Sequence, residues 1–282
     1  MNTETEGRIA AQQFRREHRL GVQPLGDLVT VIEQTTGVDV AVLDAGPDEH
    51  GLAMRDPDRG VVFIGVARTE NPMRQRSTLA HELAHVLFED WIDAEVGDWS
   101  EPSPREDRCR AFARHLLVPV EGVREFLQDR QELTLASLSA VVQRFLVSPA
   151  IAAIALEQAG YIDHATSEQW GEFYTPQLAA RFGWIDQYHA LQAESGKRRT
   201  PQRLLARAIN GYAIGVLPAP AIATLRGVTL AEAEADLREA GVEPANSTVT
   251  WARAADLPDV DVDLSDLDDA TGDDDGAGRD AG

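Results

Sequence analysis

The sequence predicts an α+β chain in which a small β-sheet is set among helices, and three observations lead to that class. Three short β-rich runs, Val38 to Leu43, Gly51 to Arg55 and Val61 to Val66, are separated by turn-formers such as Gly46-Pro47-Asp48 and Asp56-Pro57-Asp58. Apolar residues before and after those runs recur at helical spacing. A hydrophobic content of 43% over 282 residues is enough to bury real cores.

In chain order, Gly7 to Gly37 reads as two helices, with Leu25, Leu28, Val29 and Ile32 at helical spacing and Gly37 ending the second. After the β-rich runs, Asn71-Pro72 supplies an Asn cap and a proline at the first helical position, and the pattern continues to about Glu89. Ser103-Pro104 opens another helix, which ends near Val118-Pro119. From there to Tyr161 the chain is predicted helical, and a second helical block covers Pro201 to Ala240. The stretch between, including Gly196-Lys197-Arg198-Arg199, reads as a linker.

The formal net charge of −21 argues against a chain that tracks a phosphate backbone, because such binding replaces counterions with Lys and Arg. Much of the charge is local: from Asp256 onward there are eleven Asp and one Arg, which leaves −11 for the rest. That tail has little to bury and is expected to be disordered. No apolar run approaches the roughly 20 residues that span a bilayer, and the start MNTETEGR lacks a secretory signal's apolar stretch, so a cytoplasmic protein is expected. Cys109, the single cysteine, has no internal disulfide partner.

His81-Glu82-Leu83-Ala84-His85 is an HExxH sequence inside a predicted helix. At about 100° per residue, Leu79, Leu83, Val86 and Leu87 form one apolar stripe while His81 and His85 project together from roughly the opposite side. Two imidazoles at that spacing can reach one tetrahedral Zn²⁺, and Glu82 is placed to act as general base toward a water attacking a carbonyl. A catalytic zinc site needs a third protein ligand. Glu106 falls in the sector of the stripe Cys109, Phe112, Ala113, Leu116 and Leu117, where a carboxylate needs a cation or donors. Ser103-Pro104-Arg105-Glu106 reads equally as a capping box in which Glu106 satisfies backbone N–H groups. His115 lies about 180° around that helix from Glu106 and reads as a surface residue, while Glu89, Asp90 and Asp93 are alternative ligands near the end of the first helix.

The run Arg76-Ser77-Thr78-Leu79-Ala80-His81-Glu82-Leu83-Ala84-His85-Val86-Leu87 resembles the core of the ImmA/IrrE metallo-endopeptidases. The segment from Glu106 through Ala113 to Leu116-Leu117-Val118-Pro119 resembles that family's E-x-x-A-x-x-F-A-x-x-L-L-x-P stretch, with Cys109 and Arg110 in place of the usual Ala and Asn. The resemblance extends more weakly from about Gly7 to Asp163. It implies that Glu106 is the third zinc ligand and that the fold is a minimal zincin-like metallopeptidase domain, whose edge strand aligns a substrate backbone by β-addition. Val61 to Val66 is the strand expected in that place, or else an inner strand. The implied activity is cleavage of a regulatory protein, a helix-turn-helix repressor or an antitoxin-like partner. The expected organisation is therefore a metallopeptidase domain over residues 1–165, a helical module over 166–250 and an acidic tail over 251–282.

The alternative is a helix-turn-helix-like DNA-binding or partner-binding regulator with a non-catalytic zinc site, since Val141 to Leu156 and Ile222 to Leu237 resemble such units. Pro149 to Gln158 holds no Lys or Arg, and Thr229 to Arg238 offers Glu232, Glu234 and Asp236, so direct DNA binding is disfavoured. Cys109 on an apolar stripe reads as a small core residue, and His18, His50, His164 and His189 as structural or exposed.

Overall fold

The computed structural model describes residues 2–46, 51–91, 103–128 and 132–245. The acidic tail, His50, Asp93 and part of the Gly46-Pro47-Asp48 turn lie outside the described residues. The chain is mixed α+β. Helices α1 (Thr3–Glu17) and α2 (Leu28–Thr36) lead into strands β1 (Asp39–Leu43), β2 (Gly51–Arg55) and β3 (Val62–Ala67). The HExxH helix follows as α3 (Pro72–Leu87), then α4 (Pro104–Leu117), α5 (Val120–Leu127), α6 (Leu135–Phe145) and α7 (Pro149–Gln158). After these come α8 (His164–Gly171), α9 (Thr175–Arg181), α10 (Ile185–Ser195), α11 (Gln202–Ala213), α12 (Ala219–Arg226) and α13 (Leu230–Glu239).

The sheet order is β1-β3-β2, with β1 parallel and β2 antiparallel to β3. The strand expected at the edge is therefore the central one, and the inner-strand alternative holds. Ile64 and Val66 of β3 are buried on the sheet face shared with Ala53, whereas Leu52 and Met54 of β2, on the opposite face, are exposed. The outer edge of β1 is met by Arg199, whose N–H and C=O bond Val42 at 3.0 and 2.9 Å. That leaves β2, which packs beside α3, as the edge next to the HExxH helix.

Asn71 caps α3 by accepting from the Arg74 N–H at 3.1 Å, and Pro72 opens the first turn, as the sequence dictates. Leu79, Ala80, Leu83 and Ala84 are buried on its inner face. Ser103 caps α4 by accepting from the Glu106 N–H at 3.3 Å. Helix α1 lies along α4 so closely that a Cβ on Gly7 would sit 2.6 Å from the Arg108 carbonyl oxygen and the Phe112 nitrogen.

Residues expected to form a linker are largely helical, in α8, α9 and α10. The reading rested on turn-formers at 196–199 and missed short helices whose anchoring residues are far apart in sequence. Leu178, Ala179, Trp184 and Tyr188 join the same buried cluster as Leu83 and Phe112. The end of α10 is tied to the turn before α3: Ser195 O accepts from Thr69 N at 3.1 Å and from Gln75 Nε2 at 2.9 Å, and Gln192 Nε2 donates to Glu70 O at 2.8 Å. A second, smaller cluster around Ala208, Ile222 and Leu237 joins α11, α12 and α13. Pro149, Ala152, Ala153, Ala155 and Leu156 of α7 are buried. Among the described residues, no single helix is long and apolar enough to cross a membrane.

Candidate metal centre

Helix α3 projects His81 and His85 from one face, one turn apart, and α4 brings Glu106 to them from the facing helix. The two Nε2 atoms are 3.0 Å apart. Glu106 Oε2 lies 3.0 Å from His81 Nε2, and Oε1 lies 3.3 Å from His85 Nε2. Ligand atoms about 2.0–2.1 Å from a tetrahedral ion are separated by about 3.3 Å, and these three side chains bring their donor atoms together at close to that spacing, as a group that could hold one metal ion. The hydrogen bond from His81 holds the Glu106 carboxyl below the usual carboxylate range, and burial lowers the basicity of His85. Only half of the expected capping box forms at Ser103: its hydroxyl takes the Glu106 N–H, while the Glu106 carboxylate turns to the histidines.

Glu82 is buried on the same helix, 8% exposed, against the start of β2. A Cβ at Gly51 would lie 2.5 Å from Thr78 Cγ2 and 2.9 Å from Glu82 Oε1, so β2 can pass over the carboxyl only because residue 51 has no side chain. Burial pushes the Glu82 carboxyl up to about 7, with His81 opposing and Glu106 adding to the rise.

A second layer supports His85. The chain reverses at Glu89, whose φ of 53° is left-handed, and the Asp90 N–H donates to His85 O at 2.9 Å. This places Asp90 Oδ2 3.5 Å from His85 Nδ1, on the side of the ring away from His81 and Glu106. Arg108 of α4 donates to both Asp90 oxygens at 2.8 and 3.0 Å while stacking 3.9 Å over the Phe88 ring. Cys109 is fully buried as expected, yet its Sγ is also 3.6 Å from both His85 Nδ1 and Asp90 Oδ2. His85, Asp90 and Cys109 therefore form a second close group of metal-ligating types. In that group Asp90 is already compensated by Arg108 and burial pushes the Cys109 thiol up, away from thiolate, so it reads as support for the imidazole. Asp90 is the functional residue whose part the sequence did not disclose. The signal available was only its place just past the HExxH helix, where it stood as an alternative ligand.

His115 corrects another expectation. It is 5% exposed, with Nε2 2.8 Å from Glu4 Oε1, and does not lie at the surface. Helix α1 covers that face of α4, which periodicity within α4 does not reveal. Of the remaining histidines, His18 stacks on Phe14 at 4.4 Å and His164 is exposed beside Glu157.

A helix bearing HExxH, a carboxylate helix facing it and a three-stranded sheet alongside define a metallopeptidase-type domain. Residues 33–157 match the model of the IrrE N-terminal-like domain, peptidase family M78, and this match supports a metallopeptidase of the ImmA/IrrE type over that part of the chain. The matched stretch begins within α2 and ends at α7, and it contains His81, Glu82, His85, Asp90 and Glu106. No curated protein matches the chain.

Proposed function

We propose that the chain is a zinc-dependent endopeptidase that cleaves a regulatory protein, a helix-turn-helix repressor or an antitoxin-like partner. The convergence of His81 Nε2, His85 Nε2 and the Glu106 carboxylate, whose two oxygens lie 3.0 Å from the first and 3.3 Å from the second, carries the reading. Two imidazoles and one carboxylate are a donor set of hydrolytic zinc sites. When bound, the ion supplies Lewis acidity, polarising a carbonyl and acidifying water. Glu82 takes the proton of the attacking water and returns it to the leaving amine. Its burial and its ordinary pKa pushed up to about 7 suit a carboxyl that must both accept and release a proton near neutrality. β2, the terminal strand on that side of the sheet, offers the backbone groups of its outer edge to an extended substrate segment next to Glu82. The regulatory class of the substrate is supported by the family resemblance.

Glu82→Gln is expected to retain zinc and to abolish cleavage. Used as bait in a pull-down, that variant should retain the substrate, which the native chain then cuts in vitro. Cleavage of the captured protein by Glu82→Gln at the native rate would overturn the assignment of the base, and capture of a protein with no regulatory role would overturn the substrate class.

A further inference from the structure

Between the N-terminal half of α3 and the segment that runs from α10 to the edge of β1 lies a hollow of about 560 Å³, within the usual range of small-molecule sites. Arg76, Lys197, Arg198 and Arg199 line it, against the carboxylates of Asp27 and Glu194. It is a locally cationic cavity in a chain of net charge −21.

The four cations differ in what they are committed to. Arg199 pairs with Asp27 at 2.6 Å and Lys197 with Glu194 at 2.8 Å. Arg198 reaches Asp44 only at 3.5 Å, and Asp44 is shared with Arg68. Arg76 has no carboxylate at ion-pair distance among the described residues. Its Nη1 and Nη2 donate to the carbonyls of Gly26 and Leu25 at 2.6 and 2.7 Å, and its Nε is buried with no partner. A guanidinium has five N–H donors, so two of these bonds leave three N–H groups unused. Bracing the turn before α2 accounts for the two carbonyl bonds but not for the buried, partnerless Nε at the wall of a cavity, and Asp27, the carboxylate that acts on Arg76 through space, is already paired with Arg199.

We propose that this hollow binds a small organic anion bearing a phosphate or carboxylate group, with Arg76 as its inner anchor and Arg198 as its partner at the rim. Leu79 and Leu191 also line the hollow and give the body of such a ligand apolar surface. Arg76 precedes His81 by five residues, about 7.5 Å along α3, so the occupant braces the HExxH helix against α10 without entering the metal centre. The site does not depend on the peptidase reading, and its test measures binding alone.

Isothermal titration of the full chain with inorganic phosphate and, separately, with succinate, at constant ionic strength, distinguishes the two anion classes. The expected result is saturable, one-site binding of at least one probe. That binding should weaken at least tenfold in Arg76→Gln and in Arg198→Gln, and stay unchanged in Arg207→Gln, which removes a cation that lines only the adjoining hollow beside β1, a hollow that shares Arg198 and Arg199 with this one. Arg198 is 41% exposed at its side chain, so Arg198→Gln, read together with Arg207→Gln, tests the site even where Arg76→Gln fails to fold, and binding that weakens in Arg207→Gln overturns the proposal by placing the anion beside β1. Absence of saturable binding of both probes to the native chain overturns the proposal. So does binding that survives Arg198→Gln unchanged, as an anion held at the metal centre would.

Discussion

Replacing Gly7 by Ala tests whether α1 is what holds the carboxylate helix in place. An added Cβ would lie 2.6 Å from Arg108 O and Phe112 N and 2.7 Å from Ala111 Cβ, all on α4. Two of these atoms are backbone and cannot rotate away, so the helices must separate by roughly 0.8 Å to restore ordinary contact. Overpacking of this kind costs about 1–3 kcal/mol. Removing a glycine from a helix interior recovers about 0.5–1 kcal/mol. The net expectation is a loss of about 1–2 kcal/mol, or a fall of about 2–8 °C in Tm for a chain of this size. Because α4 carries Glu106, zinc affinity should fall with stability. Urea unfolding gives the first quantity and a chelator-competition titration the second. Gly26→Ala is the control: nothing lies within 4 Å of its added Cβ, so its effect should stay within about 0.5 kcal/mol. A Gly7→Ala protein as stable as the native chain, or more so, would refute the tight α1–α4 contact.

Three further outcomes follow from the metal centre and its surroundings. Glu106→Gln should lower zinc content measured by mass spectrometry, and unchanged occupancy would reduce Glu106 to its capping position at Ser103. Asp90→Asn removes the charge facing His85 Nδ1 and leaves Arg108 uncompensated, so zinc affinity should fall about 10–100-fold. Equal affinity in the two proteins would rule out an orienting role. Glu4 is held down to about 2 from its ordinary 4.5, chiefly by the hydrogen bond from His115, with burial opposing and Arg114 assisting. A depressed folded pKa means that its stabilisation is present above about 4.5 and is lost as pH falls through about 2. Since Glu4 is 39% exposed, screening reduces the contribution to about 1–2 kcal/mol. The stability gap between the native chain and Glu4→Gln should therefore close between those pH values in urea titrations, and a pH-independent gap would contradict the assignment.

Much of the site was legible because its signals are local. The start of α3 at Asn71-Pro72, the start of α4 at Ser103-Pro104 and the shared face of His81 and His85 depend only on capping chemistry and a period of 3.6 residues. Glu106 marks where that reach ended: within its own helix it is equally a cap partner and a ligand, and only the approach of α4 to α3 turns its carboxylate toward the histidines. Position in the fold also decided that β3 is central, that His115 is buried beneath α1, and that residues 164–195 form helices whose Trp184 and Tyr188 complete the main core.

The sequence by itself determined the two imidazoles, the candidate base and the helices that present them, since each follows from neighbours within a turn or two. Only the tertiary structure decided which carboxylate faces the imidazoles, that Asp90 supports His85, which strand edge stays open, and that Arg76 lies beside a cationic hollow. Asp90 reaches His85 through the turn at Glu89 only five residues on, held there by Arg108 of the facing helix, and the others depend on contacts between residues tens to more than a hundred positions apart, whose distances are set by how whole helices pack and not by any local preference of the chain.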